Sequence, residues 1–147
     1  MAKLKVLYPD VLSADNNAVE RAISGDAVEF LIYNESDSSK IRDAVWGSSH
    51  AMVTGLSMPI DASVIEKLRE CRIIARLGVG YDLIDVEAAG AKGIAVCNVP
   101  DYGTNEVADH ALALLLSFTR GIPQYTEAYR RQGRDGWDYK LTPVMTR

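Results

Sequence analysis

Residues 73–100, IIARLGVGYDLIDVEAAGAKGIAVCNVP, restrict the fold of this chain more than any other stretch. An apolar run (Ile73, Ile74, Ala75) leads into Gly78-Val79-Gly80. Asp82 or Asp85 then stands where a helix N-cap belongs, the helix runs toward Lys92, and Gly93 ends it before Ile94-Ala95-Val96. The order is strand, glycine turn, helix, strand, and strands joined through a helix lie parallel.

The same alternation extends upstream. Strand-like runs occupy residues 4–8, 28–33, 51–54, 72–75 and 94–97, with helical patterns between them at 16–24, 38–46 and 61–70. The last of these helices has Asp61 as its N-cap and sets Val64, Ile65 and Leu68 on one face. Right-handed crossovers then predict an α/β fold with a flavodoxin-like, doubly wound, parallel five-stranded sheet. Ligands of such sheets collect beyond the carboxyl ends of the strands, the edge that holds Pro9, residues 55–59, the glycine turn with Tyr81, and residues 100–103.

Unpaired N–H groups at a strand-to-helix turn favour negative charge, and glycines let a ligand approach without interference from Cβ. A carboxylate or a phosphate suits such a place. The dinucleotide fingerprint G-x-G-x-x-G is not met, because Leu83 holds the third glycine position. From spacing alone, the turn is either an anion site or a bend.

With 147 residues, 48% apolar and 24% charged, the chain can bury one core. Its net charge of -4 and lack of basic runs beyond Arg130-Arg131 argue against a nucleic-acid surface. Residues 1–100 hold 10 Lys/Arg and 14 Asp/Glu, whereas residues 101–147 hold 6 of each, which supports a boundary near Pro100. Cys71 and Cys97 match neither a redox nor a zinc pattern and read as buried reduced thiols of a cytoplasmic protein. The longest apolar run, 111–116, is far too short to span a bilayer, so no membrane role is expected.

Beyond Pro100, Thr104 or Asn105 is expected to cap a long helix whose residues 107–118 are apolar on nearly every side. Such a helix requires a cover from another domain or a second copy of the chain. Gly121 and Pro123 interrupt it before a further helical segment at 124–132. The last fifteen residues carry no sheet pattern, and Trp137 and Tyr139 read as packing against a partner subunit or a further domain.

Other residues suit chemistry less well. His50 has no carboxylate or nucleophile at a suggestive spacing, and His110 lies within the long helix, so both read as structural. Asp10 after the first strand invites comparison with the acidic pocket of phosphoacceptor receivers. That reading fails because the third strand ends in Thr54 where an aspartate is needed. A flavin phosphate loop is not supported by Pro9-Asp10-Val11-Leu12, and no metal-ligand pattern occurs.

LGVGYDLIDVEAAGAKGIAVCNVP followed by TNEVADHALALLL closely resembles the D-isomer-specific 2-hydroxyacid dehydrogenases, and MPIDASVIEKL agrees with that family's first domain. The resemblance implies a substrate-binding domain at 1–100. It also implies a hinge helix and dimerisation arm at 101–147, leading into a separate NAD-binding Rossmann domain. It implies that the amides of Val79 and Gly80 hold a substrate carboxylate, with Gly78 allowing the turn. Leu56, Ser57 and Met58 would line the pocket, and Tyr81 would either reach into the crevice or cover the helix start. Val107, together with Val79, would approach the nicotinamide of NAD or NADP. The implied ligand is a small 2-oxo or 2-hydroxy acid and the implied assembly a homodimer. The family's catalytic Arg, Glu and His fall on no residue of this chain, so the piece alone is expected to be inactive. The C-terminal-binding-protein corepressors share this wording and offer a second role, an NAD-sensing binding protein.

Overall fold

Strand alternation decides which side chains enter the core of the computed structural model, which describes residues 2–10 and 17–136. In β1 (Leu4–Tyr8), β3 (Ala51–Thr54), β4 (Ile73–Arg76) and β5 (Ala95–Cys97), register aligns Leu7, Met52, Ile74 and Val96 in one row across the sheet. Leu7, Met52 and Ile74 are fully buried, and Val96 packs against them. β2 (Val28–Ile32) pairs with the far side of β1, giving the all-parallel order β2-β1-β3-β4-β5. This is the flavodoxin-like order, with its topological switch point between β1 and β3.

Three short helices supply the buried partners of that row: α2 (Asp43–Ser48), α3 (Ala62–Lys67) and α4 (Val86–Ala91). They contribute Val45 and Trp46, Val64 and Ile65, and Ala89. Full burial of the larger of these side chains stabilises by roughly 1.5–3 kcal/mol each. On the opposite face, α1 (Ala18–Ser24) sets the Arg21 guanidinium 5.0 Å from the centre of the Phe30 ring, which lies 6.0 Å from Tyr8. Ile73, Ala95 and Cys97 on that face are exposed, so of the two thiols expected to be buried only Cys71 is, because β5 turns Cys97 away from the core row.

The helix expected over 38–46 is instead a 3-10 turn (Ser38–Lys40) followed by α2. Ile41 and Arg42 between them are extended, which drives Ile41 into the core and lets Trp46 Nε1 donate to the Ile41 carbonyl at 3.1 Å. Core packing therefore overrides the helical pattern there. Helix α3 begins after Asp61 as expected but stops at Lys67, where Leu68 turns extended and buries its side chain. Asn16, Val11, Leu12, Trp137 and Tyr139 lie outside the described residues.

Contacts divide the chain into two units, one ending at Pro100 and the other beginning at Asp101. Asp101 adopts φ 62°, a left-handed conformation that aspartate tolerates better than most residues. Helix α5 (Thr104–Arg120) follows, and α6 (Ile122–Gln132) continues after Gly121 at φ 64°. Gly103, and neither Thr104 nor Asn105, holds the N-cap position of α5, with no side-chain cap. No residue of α5 is buried, and Leu112, Leu114, Leu115, Leu116 and Phe118 are all exposed. Among the described residues no helix is long and apolar enough to cross a membrane.

Candidate functional site

Where β1 and β3 lie side by side, the loops after them are joined by one carboxylate. Asp10, only 1% exposed, accepts from Thr54 Oγ1 (3.1 Å) and the Gly55 N–H (2.7 Å) on Oδ1. Its Oδ2 accepts from the Ser57 N–H (2.9 Å) and the Met58 N–H (3.1 Å). Hydrogen bonds to an ionised acceptor are about twice as strong as neutral ones, so this group fixes residues 54–58 firmly. A Cβ at Gly55 would lie 3.3 Å from the Asp10 carbonyl oxygen, and glycine permits this close approach.

The loop so held presents Leu56 and Ser57 to solvent. The Met58 side chain instead enters the core, and its N–H is already engaged by Asp10. What Met58 brings to this edge is an anchor for the loop.

Next to it, the Leu77 N–H donates to the Thr54 carbonyl (3.0 Å) and the chain enters the glycine turn. The Gly78 N–H bends back to the Arg76 carbonyl (2.9 Å) at φ 141°. The turn's carbonyls face the segment after β5: Gly78 accepts from the Val99 N–H (3.0 Å) and Val79 from Asn98 Nδ2 (2.8 Å). The N–H groups of Val79 and Gly80 engage no acceptor among the described residues. Behind the turn lies Arg76, only 6% exposed, whose guanidinium donates to the Leu77 carbonyl and pairs with no carboxylate among the described residues. Two amides without an acceptor among the described residues, in a turn whose Gly78 borders the Arg76 guanidinium, form a local environment that favours an anion.

The two glycines differ in what surrounds them. A Cβ on Gly78 would sit 2.5 Å from Arg76 Nη1, whereas one on Gly80 would meet only Asp82 Oδ2 at an ordinary 3.4 Å. Packing among the described residues therefore does not demand glycine at position 80.

The turn does not feed straight into a helix. Helix α4 starts at Val86, where Asp85, rather than Asp82, accepts from the Ala88 N–H (2.9 Å). The intervening loop is pinned to the segment after β3, with the Ile60 N–H donating to Leu83 (2.7 Å) and the Asp85 N–H donating to Ile60 (3.0 Å). A pyrophosphate cradle requires the helix N-terminus at the turn, so these residues do not fit a dinucleotide's phosphates. Tyr81 lines an open cleft of about 380 Å³ with Val86, Gly90, Ile94, Val96 and Asn98, beside the start of α4.

Val79 is 56% exposed, and Val107 in the first turn of α5 is 71% exposed; each offers apolar surface. His110 is exposed on α5. His50 sits at the amino edge of the sheet, where Nδ1 accepts the Lys5 N–H at 3.0 Å and Nε2 lies 3.3 Å from Glu70. No cluster of three or more His, Cys, Asp or Glu suited to a metal occurs among the described residues. Sequence reasoning missed Asp10 as a loop anchor and Arg76 as a buried cation. The available signals were an aspartate just past a strand end and an arginine closing an apolar strand.

The sequence model of the D-isomer specific 2-hydroxyacid dehydrogenase catalytic domain matches residues 9–136. D-3-phosphoglycerate dehydrogenase of Mycobacterium bovis is 40% identical over 116 residues, 78% of this chain and 22% of that protein. Glyoxylate reductase of Pyrococcus furiosus is 53% identical over 72 residues, 49% of this chain and 21% of that protein. An NADPH-dependent glyoxylate/hydroxypyruvate reductase from Sinorhizobium meliloti, solved with NADP and malonate, superposes with a TM-score of 0.77 at 28% identity, covering 97% of this chain and 43% of that one. The chain thus spans about a fifth of the length of these curated relatives.

Proposed function

Because the chain belongs to the D-isomer-specific 2-hydroxyacid dehydrogenase family, we propose that residues 1–100 are the substrate-binding domain of an NAD(P)-dependent oxidoreductase that interconverts a 2-oxo acid and a D-2-hydroxy acid. The observation that carries this reading is the glycine turn, whose Gly78 and Val79 carbonyls are engaged while the Val79 and Gly80 N–H groups meet no acceptor among the described residues, with the Arg76 guanidinium beside Gly78.

In this mechanism the two amides donate to the substrate carboxylate, and the Arg76 charge behind them stabilises it without touching it. Fixing the carboxylate fixes C2, and holding C2 in a reactive pose accounts for a large part of the rate such an enzyme achieves. The nicotinamide cofactor, when bound, supplies or accepts the hydride at C2. Val79 offers apolar contact to a ring, and the substituent on C2 extends toward Leu56 and Ser57. The dinucleotide's phosphates and the proton-transfer groups are assigned to the remainder of a longer protein, so this chain alone is expected not to turn over. The exposed apolar helix α5 supports a homodimer, and the free thiols Cys71 and Cys97 suit the cytoplasm.

Gly80→Val in the full-length protein tests the reading, because the fold has room for a Cβ there while the ligand does not. Loss of amide contact to the substrate should lower kcat/KM by about 10²-fold on glyoxylate, pyruvate and hydroxypyruvate alike. Unchanged turnover would remove the carboxylate from this turn. A parent protein that binds NAD but turns over none of the three would favour the cofactor-sensing, corepressor-like role.

A further inference from the structure

We propose that Asp10 is a positioning residue for substrate selectivity: its carboxylate sets where Leu56 and Ser57 meet the substituent on C2, without taking part in holding the substrate carboxylate. The proposal rests on the site described above, but different atoms carry it.

The site is held by two separate networks. The glycine turn is tied to the segment after β5 through Val99 and Asn98. Asp10 touches neither of those residues. Among the described residues its four donors, Thr54 Oγ1 and the N–H groups of Gly55, Ser57 and Met58, belong to the end of β3 and the loop after it. The backbone ties between the two segments lie outside both stretches: the Leu77 N–H to the Thr54 carbonyl at their root, and the Ile60 bonds with Leu83 and Asp85 beyond Met58 and Gly80. A change at Asp10 therefore moves the loop and leaves the turn in place.

The chemistry also points beyond packing. Burying a carboxylate carries a large desolvation penalty, offset here by converging donors, three of them backbone amides of a short loop. With Met58 buried at one end and Thr54 at the other, the intervening residues are held in one conformation while the side chains of Leu56 and Ser57 remain exposed. Fixing an exposed leucine and serine beside an anion site is the arrangement expected of a specificity loop, in which misplacing one contact alters discrimination several-fold.

Asp10→Asn is nearly isosteric but turns an amide NH2 toward N–H donors, which frees part of the loop. In the full-length protein, steady-state kinetics should be compared on glyoxylate, which carries only hydrogen on C2, and hydroxypyruvate, which carries a hydroxymethyl group. The expected result is at least about a fivefold change in the kcat/KM ratio of the two substrates, expressed in the KM for hydroxypyruvate, with the KM for glyoxylate within about twofold of the parent. A merely structural role lowers kcat for both in step with the folded fraction and leaves both KM values alone; that result, or no change, overturns the proposal. If Asp10→Asn does not fold, Thr54→Val decides. It removes one donor, and a ratio shifted in the same sense supports the proposal while an unchanged ratio overturns it. Gly80→Val separates this inference from the reading beneath it, since that variant should impair both substrates equally. A shifted ratio in Asp10→Asn beside an unaffected Gly80→Val would sink the carboxylate assignment and leave Asp10 standing.

Discussion

Gly78 and Gly80 belong to one turn, yet the described fold constrains the first to glycine and leaves the second room for a Cβ. Gly78 combines a φ of 141° with a missing Cβ that would collide with the Arg76 guanidinium. Gly78→Ala should therefore destabilise the chain by about 2 kcal/mol. Gly80→Ala should stay within about 0.5 kcal/mol of the parent. Urea unfolding of the two variants checks this contrast, and equal midpoints would contradict it. From the sequence, the two positions were indistinguishable beyond their spacing. Asp10 and Arg76 were hidden for a related reason: Asp10 meets its donors across 44 to 48 residues of chain, and the burial of Arg76 without a carboxylate partner among the described residues is set by the fold around it. Spacing along a chain reports neighbours within a turn or a helix face, whereas the Asp10 contacts and the burial of Arg76 arise across the fold.

At the scale of elements, end signals were more legible than lengths. Asp61 caps α3 as its position predicts, accepting from Ser63 Oγ (2.6 Å) and the Val64 N–H (3.0 Å). The side-chain bond from Ser63, followed by the backbone bond from Val64, holds its carboxyl below the ordinary value of 3.8. A depressed folded-state pKa contributes stability that is present above the unfolded value and lost as pH falls through the folded one. The difference in urea midpoint between the parent and Asp61→Ala should therefore persist from neutral pH down to about 4 and close below it. A difference that stays constant into strong acid would contradict the cap. The choice between Asp82 and Asp85 for α4 could not be made from sequence, because both precede the helix; the loop pinned to Ile60 delays the helix and selects Asp85. Helix α2 was misjudged because the burial of Ile41 outweighs its place in a helical pattern.

For the whole molecule, five β-runs separated by helices and the rule of right-handed crossovers were enough to anticipate the sheet, since few other topologies satisfy both. Residues beyond Asp101 read less completely, because an all-round apolar helix states that a cover is needed without naming it. The homodimer proposed above makes a second copy of the chain that cover. Sedimentation of the full-length protein should then show a dimer, and the double variant Leu112→Glu with Leu115→Glu should shift it to monomer. A parent protein that is monomeric at micromolar concentration would contradict that assignment.

The central claim is that this sheet edge holds a carboxylate on two backbone amides. A crystal structure of the full-length protein with NAD(P) and oxamate tests it most directly. Oxamate oxygens at about 3 Å from both the Val79 and Gly80 nitrogens are the predicted result. A carboxylate bound elsewhere, with those two amides turned away from it, would contradict the account.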